Sequence, residues 1–162
     1  MKEVNIKFEL CHDEAIVPYN GRYGDLGYDI YPAFDFDYIE ISPYETKLIP
    51  TGIKSAISEE YGILFRDRGS LGSKGIAVRA GVLDSNYRGE WFVALQNMND
   101  KPALIAKYPN DFDRKDAIVL DYANAIAQFI VVPAFMLKPE IVDDIDEFES
   151  ERGSAKLGSS NE

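Results

Sequence analysis

The sequence predicts an all-β sandwich or barrel, and three observations support this prediction. Apolar and polar residues alternate over many short stretches, glycines and prolines separate these stretches, and no window of eleven or more residues before position 138 carries a helical apolar stripe. The length of 162 residues, with 46% hydrophobic and 28% charged residues, is typical of one folded domain. Short strands joined by Gly and Pro turns are expected to pack as stacked or closed sheets.

The predicted strands begin near the N-terminus, where Val4, Ile6, Phe8 and Leu10 share one face of a half-buried strand. Further strands are predicted, in order, in YIEI (38–41), TKLI (46–49), IKSAI (53–57), GILF (62–65), WFVALQ (91–96), AIVL (117–120) and IAQFIVV (126–132). Glycines and prolines between these stretches supply the turns. We therefore expect one β domain over residues 1–138, followed by an arm and tail over 139–162.

The arm is strongly acidic, with seven acids between Glu140 and Glu151. Ile141, Ile145 and Phe148 have helical spacing, but this charge density predicts a solvated arm with at most a short helical turn. The tail that follows, RGSAKLGSSNE, has two interpretations: a disordered terminus, or a flap whose arginine and serines close over an anionic ligand.

The charge and cysteine content restrict the functional classes. A formal net charge of -11 argues against a nucleic-acid partner, because phosphate-backbone affinity requires dense Lys and Arg. Cys11 is the only cysteine, which excludes an internal disulfide and a cysteine-based zinc site. No apolar run reaches about 18 residues, so we expect no membrane span and a cytoplasmic protein.

A candidate anion site lies in FRDRGSLGSKGI, residues 65–76, where Arg66, Arg68 and Lys74 stand among glycines and serines. Successive backbone N–H groups in such a turn bind anions, and arginine matches phosphate oxygens. The alternative is an ordinary polar hairpin turn. The spacing differs from that of a Walker loop.

Two aspartates are candidates for chemistry. Asp84 directly follows Val82 and Leu83, so its carboxylate is either a general base at the mouth of the core or a turn former. Asp29, four residues after Asp25, is either a magnesium anchor beside bound phosphates or an Asx-turn residue.

Taken in order, these segments resemble the five signature motifs of the trimeric dUTPase family. LGYDIY, RGSLGSKG, AGVLDSNYRGE, NAIAQFIVVPA and RGSAKLGSS resemble motifs one to five, and PYETKLIPTGI resembles the usual continuation of the first. The resemblance covers about Gly24 to Ser160. It implies a jelly-roll-like β-barrel or sandwich, a homotrimer with a flexible C-terminal arm and interfacial active sites, and Mg²⁺-dependent hydrolysis of dUTP to dUMP and pyrophosphate. That reaction limits uracil incorporation into DNA and supplies dUMP for thymidylate synthesis.

The resemblance also implies residue roles. Asp84 would be the general base that activates water, and Tyr87 would lie under the deoxyribose, where it excludes a 2'-hydroxyl. The hairpin from Val78 through Gly81 to Val82 would read the uracil edge with its main chain. Asp29 would hold a water of the magnesium shell. The remaining substrate contacts implied by the motifs are Arg68, Gly69, Ser70 and Gln128, and from the tail Arg152, Ser154, Leu157, Gly158, Ser159 and Ser160.

The chain departs from the family pattern in three motifs. Gly69 follows Arg68 where serine is usual, and Ala123, Asn124 and Ala125 replace Gly-Asp-Arg in the fourth motif. Ala155, Lys156 and Leu157 replace Gly-Gly-Phe in the fifth, which removes an aromatic ring whose stacking on uracil would contribute roughly 1–3 kcal/mol.

The segment from Asn99 to Asp121 is longer than the family's usual hairpin. We expect a plain surface loop, with a protein-binding insertion as the alternative.

Two other functions stay open: a catalytically weak dUTP-binding regulatory protein on the same fold, and dCTP deaminase. The deaminase fits less well, because Ala94 stands where that branch carries its catalytic glutamate.

Overall fold

The computed structural model describes residues 3–150 and confirms the all-β prediction. Its strands are β1 (Ile6–Leu10), β2 (Tyr28–Ile30), β3 (Tyr38–Ile41), β4 (Thr46–Pro50), β5 (Ile53–Ile57), β6 (Tyr61–Arg66), β7 (Ile76–Arg79), β8 (Val82–Leu83), β9 (Phe92–Asn97), β10 (Ala103–Ala106), β11 (Ile118–Asp121) and β12 (Ala127–Pro133). A one-turn α-helix, α1 (Gly69–Gly72), and 3₁₀ turns at Pro109–Asp111 and Ile145–Glu147 complete the elements. Within the described range no helix is long and apolar enough to cross a membrane.

Four small sheets make up the jelly-roll-like fold. Strands β2-β12-β6-β8 form the largest sheet, and β4-β9-β7, β11-β10-β3 and β1-β5 form the others. All pairs are antiparallel except β10 with β11. The longest strand, β12, lies between β2 and β6, so it connects three segments that are far apart in sequence.

The core is centred on Trp91, which is fully buried. Its ring contacts Phe8 of β1, Phe65 of β6 and Phe129 of β12, with centroids 5.6, 5.4 and 5.4 Å away. Rings of this size contribute much of the burial that stabilises a domain. The aromatic contacts therefore pack the β1-β5 sheet onto the sheet that carries β12.

The alternating patterns predicted most strands with small boundary errors. In β1, Ile6 and Phe8 pack against the core as expected, but Leu10 at the strand end is 51% exposed, so its predicted burial is wrong. As far as residue 150 the acidic arm is exposed, and residues 134–150 contain only the 3₁₀ turn at Ile145–Glu147.

The expectation of a plain loop from Asn99 to Asp121 is wrong. This segment contains β10 and β11, and it builds a second small core from Leu104, Ala117 and Val119, against which Phe112 packs. All four residues of β10 are buried, so its sequence, ALIA, shows no alternation. A protein partner for this segment remains a prediction.

The Gly and Ser stretch after β6 is not a hairpin turn. Residues Gly69–Gly72 form α1, and Leu71 is buried beneath it. Because one leucine anchors this helical turn, the flanking glycines and serines stay on the surface, next to Arg68.

Candidate active site

Strand pairing brings three of the sequence motifs together on the outer face of the largest sheet. Asp29 of β2 lies opposite Gln128 of β12, and Gln128 lies opposite Arg66 of β6. Side chains directly opposite in paired strands share a face. The neighbours Ala127 and Phe129 are buried, so strand alternation directs the polar side chains outward.

Arg68 is held in place between two of these segments. Its Nε lies 3.0 Å from Asp29 Oδ1, and its Nη1 donates a 3.2 Å hydrogen bond to the carbonyl of Ala125. The side chains of Arg68 and Asp29 are 30% and 22% exposed, so the pair is only partly screened by water. The guanidinium therefore presents its remaining donors in a fixed direction.

Gln128 depends on a glycine for its position. Its Nε2 donates to the carbonyl of Asp67 at 2.7 Å, and a Cβ on Gly27 would lie 2.0 Å from its Oε1. Any larger residue at position 27 would displace the amide. A pocket of about 470 Å³, the Arg68 pocket, is lined by Gly21, Asp25, Leu26, Gly27, Asp29, Arg68, Gly69 and Gln128.

Two tyrosines lie close to this pocket. Tyr31 donates a 2.8 Å hydrogen bond to the hydroxyl of Tyr19, and the two rings stack with centroids 5.8 Å apart. Burial, the Tyr19 hydrogen bond and the nearby charge of Asp29 together raise the pKa of Tyr31 to about 12. Its phenol thus stays neutral near pH 7 and adds no negative charge where an anion would bind.

Asp84 lies in a separate pocket, at the end of β8. This strand pairs with β6 through Ile63 opposite Leu83, and the carboxylate of Asp84 is exposed. The pocket measures about 430 Å³; its lining includes Tyr61, Gly62, Leu64, Val82, Asp84, Asn86 and Val132. Asp84 is therefore an exposed acid that lines this pocket and also begins a turn, so both roles considered for it stay open.

The turn after Asp84 is fixed by hydrogen bonds. The Tyr87 N–H donates to the Asp84 carbonyl at 3.1 Å, and the Arg88 guanidinium donates to the carbonyls of Ser85 at 2.7 Å and Tyr87 at 2.9 Å. Arg88 thus stabilises the turn. The Tyr87 ring lies over Gly89, where a Cβ would be 2.3 Å from the phenol oxygen, so glycine is required there.

The segment from Val78 to Val82 is a corner between sheets and not the predicted two-stranded hairpin. Strand β7 pairs with β9, whereas β8 pairs with β6. Ala80 has φ +49°, an uncommon conformation for alanine, and the Gly81 carbonyl accepts a 2.6 Å hydrogen bond from Phe65. A Cβ on Gly81 would lie 2.7 Å from the Phe65 carbonyl oxygen, so only glycine allows this close approach.

Not every predicted residue lies at these two pockets. Ser70 lines a different cavity, which Arg68 also lines. The tail residues Arg152, Ser154, Leu157, Gly158, Ser159 and Ser160 lie outside the described residues. Sequence reasoning missed Asp67, whose Oδ1 accepts a hydrogen bond from the Val78 N–H while its carbonyl accepts one from Gln128. The only sequence signal for Asp67 was its place between Arg66 and Arg68.

The two pockets lie at different ends of the same strands. Asp84 is adjacent to the Gly62 end of β6, whereas Gln128 is paired with Arg66 at the other end. Four strand residues span about 13 Å. Asp84 of one chain therefore cannot reach a water molecule at the Arg68 pocket of the same chain.

The carboxylates of the Arg68 pocket fit a magnesium ion that is also bound by the phosphates of the ligand. Within residues 3–150 no group of three or more metal-binding side chains occurs, so this region has no protein-only cage. Asp25 and Asp29 line the pocket, and Mg²⁺ commonly binds through one or two carboxylates together with substrate phosphates. The donor set fits that arrangement.

The chain is similar in sequence to known proteins of one family. The dUTPase family model matches residues 13–109. A deoxyuridine 5'-triphosphate nucleotidohydrolase of Orientia tsutsugamushi strain Ikeda is 36% identical over 140 residues, covering 85% of this chain and 82% of the relative. The protein of the same name from the Wolbachia of Culex pipiens is 34% identical over 166 residues, covering 98% and 95%.

Solved structures support the fold. A mutant dUTPase of Staphylococcus bacteriophage 80alpha with dUpNHpp matches with a TM-score of 0.78 and 22% identity, over 96% of this chain and 98% of that one. A mutant dUTPase from phage phi11 of S. aureus, described with a structural Mg(II) ion, matches with a TM-score of 0.69 and 20% identity, over 88% and 99%. The family model, the relatives and the fold agree: this chain belongs to the dUTPase family.

Proposed function

We propose that this protein hydrolyses dUTP to dUMP and pyrophosphate. Its family membership supports this activity. The observation that carries the proposal is the position of Asp84, an exposed carboxylate held by a hydrogen-bonded turn at the edge of a pocket. An acid so placed can accept a proton from an attacking water molecule.

In this reaction Asp84 orients and deprotonates the water that attacks the α-phosphorus. The corner from Val78 to Val82 reads the uracil edge with backbone groups, which the positive φ of Ala80 helps to present. Tyr87 lies under the deoxyribose. Its ring is fixed against Gly89 by the hydrogen bond from its hydroxyl to the Glu90 carbonyl, at 3.1 Å, so a ribose 2'-hydroxyl would meet a rigid surface.

The Arg68 pocket binds the phosphates. Asp29 aligns Arg68, and the Asp67 carbonyl aligns Gln128. Both donors are therefore oriented before the ligand arrives. Mg²⁺ bound together with the substrate phosphates would neutralise part of their charge. Asp29, which holds Arg68, would also hold a water of the magnesium shell.

The active site is shared between subunits of a homotrimer. Asp84 and the Arg68 pocket of one chain are separated by about 13 Å along the strands, so a second copy must bring its Asp84 to the first copy's phosphate pocket. The resemblance assigns the tail residues from Arg152 to Ser160 to the γ-phosphate, and these residues lie outside the described range.

Deamination of dCTP fits this structure less well. The position ten residues beyond Asp84 is Ala94, which is 5% exposed in β9 and offers no carboxylate. Alanine has no group that could act as the base of a deaminase.

The experiment that tests the proposal measures pyrophosphate release from dUTP, dTTP and UTP at equal concentrations, with and without Mg²⁺. We expect dUTP to be cleaved far faster than the other two, and its affinity to rise with Mg²⁺ because the ion offsets the repulsion of a chain with net charge -11. Tight dUTP binding without turnover would support a regulatory protein instead. Equal cleavage of all three nucleotides would contradict the proposal.

A further inference from the structure

A second cavity also has Arg68 in its lining. It measures about 450 Å³ and lies between α1 and the chain segment that joins β11 to β12. We call it the basic cavity. It is lined by Arg68, Ser70, Leu71, Lys74, Arg114, Val119, Leu120, Asp121, Asn124, Ala125 and Ile126. Arg68 lines both cavities, so the two are adjacent.

The basic cavity concentrates positive charge in a strongly acidic chain. Three cations, Arg68, Lys74 and Arg114, and one carboxylate, Asp121, line it in a protein of net charge -11, and Arg68 is already paired with Asp29. The Asp121 Oδ1 already accepts a 2.9 Å hydrogen bond from the Ala123 N–H. Within residues 3–150 neither Lys74 nor Arg114 forms an ion pair. Cations that face one cavity without carboxylate partners attract a small anion.

Arg114 reaches the cavity because the connection between β10 and β11 is ordered by its own contacts. Phe112 packs into the second small core, and Asp113 caps the turn by accepting hydrogen bonds from the Lys115 N–H at 2.8 Å and the Asp116 N–H at 3.1 Å. The Arg114 guanidinium donates only one 3.4 Å hydrogen bond, to the Val119 carbonyl, which leaves most of its donors for a ligand.

The lining favours an inorganic anion over a nucleotide. None of the described lining residues is aromatic, so the cavity offers no ring on which a base could stack. Lys74, Arg114 and the Ser70 hydroxyl are the donors that a compact diphosphate needs.

We propose that the basic cavity binds inorganic pyrophosphate as it leaves the Arg68 pocket. The inference rests on the proposed hydrolysis of dUTP, which produces this anion. Because Arg68 faces both cavities, pyrophosphate can move from the first to the second without losing contact with its guanidinium. Release then becomes a two-step process, in which Lys74 and Arg114 hold the product after dUMP is free to depart.

Direct titration of the full-length protein with sodium pyrophosphate, at fixed Mg²⁺ and without nucleotide, tests the site. Arg114→Gln and Lys74→Gln are each expected to weaken pyrophosphate binding by roughly three- to tenfold, the effect of losing one solvent-accessible charged hydrogen bond. Lys115→Gln is the matched control, because it makes the same charge change on an adjacent residue outside the cavity, and it should bind as the wild type does. Equal weakening in all three variants would show a general charge effect and overturn the proposal.

Kinetics separates this site from the substrate site. In Arg114→Gln the inhibition constant of pyrophosphate should rise, while the KM for dUTP stays within about twofold. A parallel rise in KM would place Arg114 in the substrate site and contradict a separate product site. The titration does not require turnover. If the protein binds pyrophosphate through Arg114 but does not cleave dUTP, only the proposed function is refuted, and the pyrophosphate site stands.

Discussion

At the scale of single residues, the site depends on groups whose position is fixed by a neighbour. Arg68 is aligned by Asp29, and Gln128 keeps its place because Gly27 leaves room for its amide. The hydroxyl end of Tyr87 lies close to Gly89 for the same reason. Functional side chains held by a second layer of contacts need little rearrangement when a ligand binds.

Replacing Asp84 by asparagine tests its role as the general base. Asp84→Asn removes the proton acceptor with little change in shape, so kcat for dUTP should fall by about 10²–10⁴-fold. Binding of a non-hydrolysable dUTP analogue, measured by titration, should be retained. Asp100→Asn, at an exposed acid outside both pockets, is the control and should keep wild-type kcat. An active Asp84→Asn enzyme would exclude this mechanism.

Replacing Gly27 by alanine tests the positioning of Gln128. The added Cβ would lie 2.0 Å from Gln128 Oε1, so the amide must move and the KM for dUTP should rise roughly tenfold. The melting temperature should change little, because the displaced atoms are the end of a flexible side chain. Gly72→Ala is the matched control, since its Cβ would be 3.7 Å from the nearest atom outside α1. A KM unchanged in Gly27→Ala would remove Gln128 from the phosphate site.

At the scale of elements, the loop before β2 is joined to the ends of β10 and β11 by a polar cluster. Glu14 Oε2 accepts hydrogen bonds from Lys107 Nζ at 2.6 Å and from the Tyr122 hydroxyl at 2.7 Å. Lys107 Nζ also lies 4.9 Å from the centroid of the Tyr122 ring. These contacts attach the N-terminal segment to the part of the fold that presents Arg114.

The cluster gives stability a defined pH dependence. The hydrogen bonds from Lys107 and then Tyr122 lower the pKa of Glu14 below its ordinary value of 4.5. A depressed folded-state pKa means that this stabilisation is complete above the unfolded-state pKa and is lost as the pH falls through the folded-state pKa. Glu14→Gln should therefore melt at a lower temperature than wild type at pH 7, and the difference should shrink below pH 4.5.

The control for this experiment is Glu59→Gln, at an exposed acid without a recorded contact in the described structure. Its melting temperature should follow that of the wild type at every pH. A difference between Glu14→Gln and wild type that is independent of pH would mean that the carboxylate charge does not stabilise the fold.

At the scale of the whole molecule, one chain holds two incomplete parts of a site. The Arg68 pocket and Asp84 lie at different ends of the β2-β12-β6-β8 sheet, about 13 Å apart along the strands. Association of copies is therefore a requirement of the proposed chemistry.

Mixing two inactive variants tests the shared site. Asp84→Asn keeps its Arg68 pocket and Arg68→Gln keeps its Asp84, so an equal mixture, unfolded and refolded together, should regain about a quarter of wild-type activity by random assembly. Each variant refolded alone is the control and should stay inactive. A mixture that stays inactive would place the whole site within one chain.

The sequence by itself determined most of the strands and the kind of chemistry. Alternation in β1 and β5 is a local property, because successive side chains point to opposite faces, and it can be recognised without knowing the partner strand. The five ordered motifs likewise gave the family and named Asp84, Arg68 and Gln128. The prediction failed where burial on both faces removed the alternation, as in β10.

Only the tertiary structure decided which residues meet. The register of β12 with β2 and β6 places Gln128 beside Asp29 and Arg66, which are 99 and 62 positions away in the chain, and no local pattern encodes that pairing. The same register separates Asp84 from the Arg68 pocket, and the packing of Phe112 brings Arg114 to the basic cavity. Pairing and packing depend on the free energy of the whole core, so they emerge only when all the strands are assembled.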